Sequence, residues 1–377
     1  MQLCIFTLLL LLFNTVSVAQ FKIKTITETN PHNHVDYRFP VITNNSLAAR
    51  RINNYLQLRE LKLIVGQQDS MLFERDWSTK YKHHGRQYFD FAILENTARL
   101  LAIEVSSEWC SAYCESGATY YVFDAINGNK IELPELFTEA GYDIYQKRVM
   151  AERELTLINE IIETYRYDEE TQQAASAEGR SDYAESIKMD QEMHRQERKI
   201  YQDCLSDMKE YGYYGSFYIS QQSIISTQGR CSAHVNQGLD NVGEFKNSLS
   251  IEKASPLLSA YGKRVLLGET NQATDQSLTG KVYQGIIGDK YPIKLILSDI
   301  DEDDAVQGCY AYEKTGKAIA LSGKVEHDIS FRLEERDEEE NKTGTLSLLF
   351  AENYQRATGT WTSPDGKELS LKLFYQE

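Results

Sequence analysis

RQYFDFAILENTARLLAIEVSSEWCSAYCESGATYYVFDAINGNKIELPELF, residues 86–137, reads as strand, turn, strand, cysteine-bearing loop, strand, turn, short strand and a helical turn at Leu133–Phe137. Leu101, Ile103 and Val105 alternate with Ala102, Glu104 and Ser106, the period of a half-buried strand. Asn127-Gly128 predicts a two-residue hairpin turn with positive φ at both positions. The stretch is therefore the sheet of a first domain. It carries no catalytic constellation.

Upstream, FKIKTITE (21–28) alternates as a strand. In FPVITNNSLAARRINNYL (39–56), Leu47, Ala48, Ile52, Tyr55 and Leu56 recur at helical spacing behind a cap at Asn44 or Asn45. Residues 66–85 read as irregular. Histidines 83 and 84 fall there, beside His32 and His34 of an earlier loop, and read as solvated side chains rather than metal ligands. Downstream, the charged segment 142–211 reads as a helical hairpin inserted in the domain. Leu155, Ile158, Ile162 and Tyr165 form one stripe, assigned to core packing or hairpin pairing. Residues 168–181 have the composition of a flexible connection, and Tyr183, Ile187, Met193, Ile200, Cys204 and Met208 recur along the second arm. The chain returns to β structure at 214–231. The first domain ends near Leu267, and 268–278 is a polar linker.

The last hundred residues hold eight strand-like segments, 281–287, 291–299, 305–313, 317–325, 328–335, 343–350, 356–362 and 368–375, divided by turn signals such as Gly288-Asp289 and Pro364-Asp365-Gly366. With no helix between them, an up-and-down antiparallel barrel removes the sheet edges most economically. The fold class is thus α+β: a mixed sheet-and-helix domain (20–267) with a helical-hairpin insertion, plus a C-terminal eight-stranded antiparallel β-barrel (279–377). In shape the barrel is similar to those of avidins and lipocalins. Its Gly359-Thr360-Trp361 lies on the seventh strand, not the first, so ligand binding does not carry over from those families.

Several motifs together resemble the domain shared by the lysozyme-sensing anti-sigma factor RsiV and the non-catalytic N-terminal region of the peptidoglycan deacetylase PdaC. They are the alternating strand at 100–106, Gly117-Ala118-Thr119, Asp124 followed by Asn127-Gly128, Leu136-Phe137, the strand and helix at 39–56, GSFYISQQSIIS (215–226) and LSIEKASPLLSAY (249–261). Thr119 stands where that family has a histidine, and two cysteines enter the same loop. The resemblance implies a non-enzymatic binding role at the cell envelope. A lysozyme-like basic protein is one partner it suggests.

Residues 1–19 are an apolar run ending in Ser17-Val18-Ala19, which predicts a signal peptide cleaved before Gln20 and a secreted or periplasmic protein. Nothing else approaches the length of a membrane span. The net charge of −16 disfavours nucleic acid and anionic lipid and favours cations or basic proteins. Five cysteines follow Ala19, and an exported chain tends to pair them. Cys110 and Cys114 are expected to form a local disulfide, with metal ligation as the alternative. Cys204 and Cys231 are the next pair, and Cys309 is left as a free thiol.

Asp299, Asp301 and Asp303 begin with calcium-loop spacing, but Asp304 stands at the turn glycine and Tyr310 at the bidentate glutamate. The second acidic run, 334–340, emerges from the opposite end of an eight-strand barrel. No nucleophile elbow, phosphate loop, zinc motif or dinucleotide fingerprint is present. No catalytic residue, metal or cofactor is therefore assigned. The expected function is a binding module for an envelope protein or glycan, with Trp109, Glu115, Thr119 and Tyr120 as the recognition loop. The competing expectations are a glycan hydrolase with a dispersed carboxylate pair and a barrel that binds a small molecule.

Overall fold

Ile26 and Phe39 stand opposite each other across strands β1 (Ile23–Thr29) and β2 (Asp36–Ile42), an antiparallel pair that closes one side of the first core. The computed structural model describes residues 21–67, 71–77, 85–110, 113–178, 184–212, 215–275, 277–301, 303–327, 329–337, 339, 341–351 and 353–375. Helix α1 (Leu47–Leu56) buries Ala48, Ile52, Tyr55 and Leu56, as their spacing requires. Its cap is Ser46, whose Oγ accepts the Ala49 N–H at 3.1 Å, and not either asparagine. Asn44 instead accepts the Lys22 N–H at 2.6 Å. The stretch read as irregular contributes Leu72, Phe73 and Trp77 to the same core. Their turn is held by Glu28, which accepts the Leu72 and Phe73 N–H groups at 2.9 and 3.2 Å.

The central sheet runs β3 (Gly85–Asn96), β4 (Leu100–Cys110), β5 (Cys114–Asp124), all antiparallel. Leu101, Ile103 and Val105 pack into the core with α1, while Leu100 and Ala102 pack into a second core on the other face. The inner half of β4 is therefore buried on both sides, and only from Glu104 onward does it have the half-buried character that alternation suggests. The turn after β5 also departs from expectation. It spans Asp124 to Asn129, with the Asp124 N–H donating to Asn129 O at 2.9 Å, and only Gly128 has positive φ, +81°. A Cβ at Gly128 would lie 2.5 Å from the Ala48 carbonyl oxygen, so α1 packs directly on this turn.

Helices α2 (Glu139–Glu178) and α3 (Ala184–Tyr211) form the inserted hairpin. Residues 168–178 continue α2, because their Gln, Ala and Glu are good helix formers; 179–183 lie outside the described residues. The stripe Leu155, Ile158, Ile162 and Tyr165 does not pack inward: these side chains are 58, 44, 55 and 52% exposed. The inward face is one residue round, through Val149, Arg153 and Leu157. Tyr183 of the second arm falls outside the described residues. Ile187 and Ile200 are half-buried and Met193 exposed, while Cys204 and Met208 are buried.

Strands β6 (Ser216–Ser220), β7 (Ser223–Gln228) and β8 (Phe245–Ser250) form a second three-stranded sheet. Phe217, Ile219, Ile224 and Leu249 lie on Leu100, Ala102 and Val122 of the central sheet. Cys204 of α3 is disulfide-bonded to Cys231, just past β7.

The barrel closes as expected from β9 (Val282–Ile287), β10 (Tyr291–Ile300), β11 (Ala305–Tyr312), β12 (Ala318–His327), β13 (Ser330–Arg336), β14 (Lys342–Phe350), β15 (Arg356–Thr362) and β16 (Glu368–Phe374), with β16 pairing back on β9. Its interior is filled by side chains including Tyr283, Tyr310, Phe331 and Phe350, so the small-molecule reading gains no support from an open lumen. On its outer face Val282, Ile296, Cys309 and Ala311 join the first core of the N-terminal part. Among the described residues Cys309 is the free cysteine, and it is buried there, donating to Leu58 O at 3.5 Å. Nor is 268–278 a loose tether. Asp275 is buried, ion-paired with Lys281 at 3.1 Å and accepting from Asn127 and Asn129 at 3.0 and 2.9 Å, and Leu278 sits in the barrel cluster.

Candidate functional site

At its outer end the β4–β5 hairpin carries its cysteines as opposed residues. Cys110 and Cys114 face each other in register, Cα atoms 3.9 Å apart, and are joined by a disulfide. β4 ends at Cys110 and β5 begins at Cys114, so the four recognition residues lie on strands and not in a loop. Gly117-Ala118-Thr119 is likewise mid-strand, because β5 begins at Cys114. The next pair inward is Trp109 with Glu115, then Ser107 with Gly117 and Val105 with Thr119, all on one face; Tyr120, paired with Glu104, is on the other.

All four residues nevertheless line one groove of about 620 Å³, whose far wall is Gly215, Ser216 and the end of β7 with Gln228 and Arg230. Trp109 is 49% exposed. The Arg86 guanidinium lies 4.9 Å from its ring centroid and is itself buried against Glu60 and Asp76, at 3.3 and 3.4 Å. A buried cation thus backs one side of an exposed indole, restricting its ring. On the other face Tyr120 stacks on Tyr218, ring centroids 4.6 Å apart. Burial, reinforced by Glu104, pushes the Tyr120 hydroxyl up to about 12, so it stays a neutral donor across physiological pH. Ser116 donates to Glu108 at 3.1 Å, and Ser216 and Thr227 share a hydrogen bond of 2.7 Å. The groove therefore offers two aromatic rings, several short hydroxyl and amide side chains, the exposed carboxylates Glu115 and Glu244, and Arg230.

Such a surface can bind; its fitness for catalysis is poor. Glu115 and Glu244 share the groove, but both are exposed, whereas a glycosidase acid sits in a desolvated apolar setting. Glu108, Cys110 and Cys114 place ligand atoms within 4.8 Å of one another, but both sulfurs are consumed in the disulfide and provide no thiolate. His32 donates from Nε2 to the Trp77 carbonyl at 3.0 Å, and histidines 83 and 84 lie outside the described residues. Asp301 of the acidic β10–β11 loop accepts the N–H groups of Asp303 and Ala305 at 3.0 and 2.8 Å, which accounts for one carboxylate as a turn-former.

Arg86, Tyr218, Gln228 and Arg230 were not among the residues expected from sequence. No local pattern distinguishes them: Gln228 and Arg230 reach the groove from the second sheet, while Arg86 and Tyr218 contact the rings of Trp109 and Tyr120. The sequence matches no family model, and a search of curated proteins returns no match. Among solved structures, a DUF3298-family member from Bacteroides fragilis NCTC 9343 is similar at a TM-score of 0.35 and 13% identity, over 67% of this chain and 99% of that one. At that distance the likeness says nothing of ligand or activity.

Proposed function

We propose that this chain is an exported, non-enzymatic binding module of the cell envelope whose groove beside β5 engages a protein or a glycan. The observation that carries this reading is Trp109: a half-exposed indole, backed by the buried Arg86, at the wall of a polar groove. Exposed aromatic rings beside short polar groups suit both sugar faces and peptide side chains. Export is supported by the apolar residues 1–19 with their small-residue end, and by two disulfides. Among the described residues no helix is long and apolar enough to cross a membrane.

The test is site-specific photo-cross-linking. A benzophenone amino acid at Thr119, irradiated in envelope extract, should give a discrete adduct that the same label at Lys290 on the barrel does not. Trp109→Ala should abolish the adduct. Identical labelling from both positions would discard the groove as the binding site.

A further inference from the structure

The wall of this groove along β5 is backbone as much as side chain. Six consecutive residues, Glu115 to Tyr120, all line it, although odd and even positions point to opposite faces of the sheet. What the two sets share is the outer edge of the strand. β5 is an end strand of its sheet, and among the described residues no backbone hydrogen bond runs from 115–120 to any segment but β4. A row of N–H and C=O groups therefore faces the groove unpaired.

Proteins usually blunt such an edge with proline, lysine, a bulge or a covering element. The opposite edge of this sheet is treated in that way: β3 has register shifts at Arg86/Tyr88 and Ile93/Glu95, and β2 packs alongside it. β5 has no proline, lysine or bulge on its exposed stretch, and β6 packs against it at the inner end, where Tyr120 stacks on Tyr218. Its ladder with β4 runs without a shift from Leu100/Asp124 to Cys110/Cys114, and the disulfide holds its outer end in register. ESGATY contains neither proline nor lysine. At Gly117 an added Cβ would meet nothing within 4 Å, so the sheet face that carries Glu115 and Thr119 is open at the middle of the strand.

We propose that β5 accepts an extended basic polypeptide segment of a partner protein as an added strand between itself and the β6–β7 wall. The inference rests on the groove reading above and narrows its occupant to a peptide. Main-chain hydrogen bonds to residues 115–120 give the affinity, and alternate side chains give the selectivity. One parity of the incoming strand meets Trp109, Glu115 and Thr119; the other meets Ser116 and Tyr120, with Glu244 nearby. Glu115 and Glu244 line the groove against the single cation Arg230, in a chain of net charge −16, which selects lysine and arginine for the incoming strand.

The experiment uses the full mature chain and a panel of blocked decapeptides alternating lysine or arginine with valine, threonine, tyrosine or leucine. Each peptide is matched by two versions N-methylated at every second amide, one per parity. Expected are saturable binding weakened more than tenfold by one N-methyl parity and little by the other, and slowed amide exchange within 115–120. Loss of affinity with rising salt should accompany it. Binding at the groove that tolerates both parities equally, or peptidoglycan-derived oligosaccharide that protects the groove while no peptide does, overturns strand addition and leaves the groove reading standing. If neither peptide nor oligosaccharide changes exchange at 115–120 or the fluorescence of Trp109, both readings fall.

Discussion

Tyr120 and Tyr218 stack at 4.6 Å, one ring from the edge strand of the central sheet and the other from the edge strand of the sheet that covers it. This contact both ties the two sheets together and closes one wall of the groove, so stability and binding meet in one pair.

Tyr218→Ala should cost about 2 kcal/mol, from lost apolar contact plus the ring–ring term. Tyr218→Phe keeps the stack and should cost less than about 0.5 kcal/mol. Urea unfolding of the two variants decides it; equal losses would mean that the hydroxyl, not the ring, matters.

The two disulfides should differ in weight. Cys204–Cys231 closes 27 positions of chain and Cys110–Cys114 only 4. Loop-closure entropy then gives about 3.5 kcal/mol for the first and about 2 for the second. Double serine variants compared by urea midpoint should keep that order. The Cys110/Cys114 variant should instead show its larger effect in peptide binding, because that bond holds the end of β5.

Glu135 is half-buried near Asp275, and desolvation followed by that neighbouring carboxylate raises its carboxyl to about 7. The sign follows from linkage: the folded state holds the proton more tightly than the unfolded one. Stability from this group is complete below the ordinary value of 4.5 and is lost as pH rises from there to about 7. The loss is about 3 kcal/mol at most. Glu135→Gln should flatten this slope between about pH 5 and pH 8, at a uniform cost for the acceptor it gives up to the Glu132 or Ser277 N–H. An unchanged slope in urea melts at the two pH values would refute the assignment.

Inside the barrel, Glu335 accepts from Tyr310, Trp361 and Thr343 at 2.8, 2.7 and 2.9 Å. Glu335→Ala strands three donors and should cost about 3 kcal/mol or more, while Trp361→Phe removes one and should cost about 2. If the alanine variant is as stable as the parent by calorimetry, the network is not a structural tie.

Because Val282, Ile296, Cys309 and Ala311 of the barrel share a core with Leu58 and Leu61, calorimetry of the full chain should show one cooperative transition. Two well-separated transitions would show that the barrel and the N-terminal part unfold independently.

What the sequence determined by itself was everything set by short-range pattern. Period-two alternation placed β4 and the eight barrel strands, helical spacing placed α1 and both arms of the hairpin, and the positions of the cysteines along the chain gave both bonded pairs. Trp109, Glu115, Thr119 and Tyr120, grouped by nearness in the chain, line one groove from two strands and not from a loop. Tertiary structure decided the rest. Leu155, Ile158, Ile162 and Tyr165 show helical periodicity as strongly as a buried face would, yet which face a helix buries depends on its neighbours in space. Asp275 sits in a stretch with the composition of a linker, but burial and three partners make it a junction. The groove itself needs Arg86 behind Trp109 and Tyr218 against Tyr120, contacts between segments up to about a hundred residues apart. An open strand edge is a property of what fails to pair with it, and a one-dimensional pattern has no term for a missing neighbour.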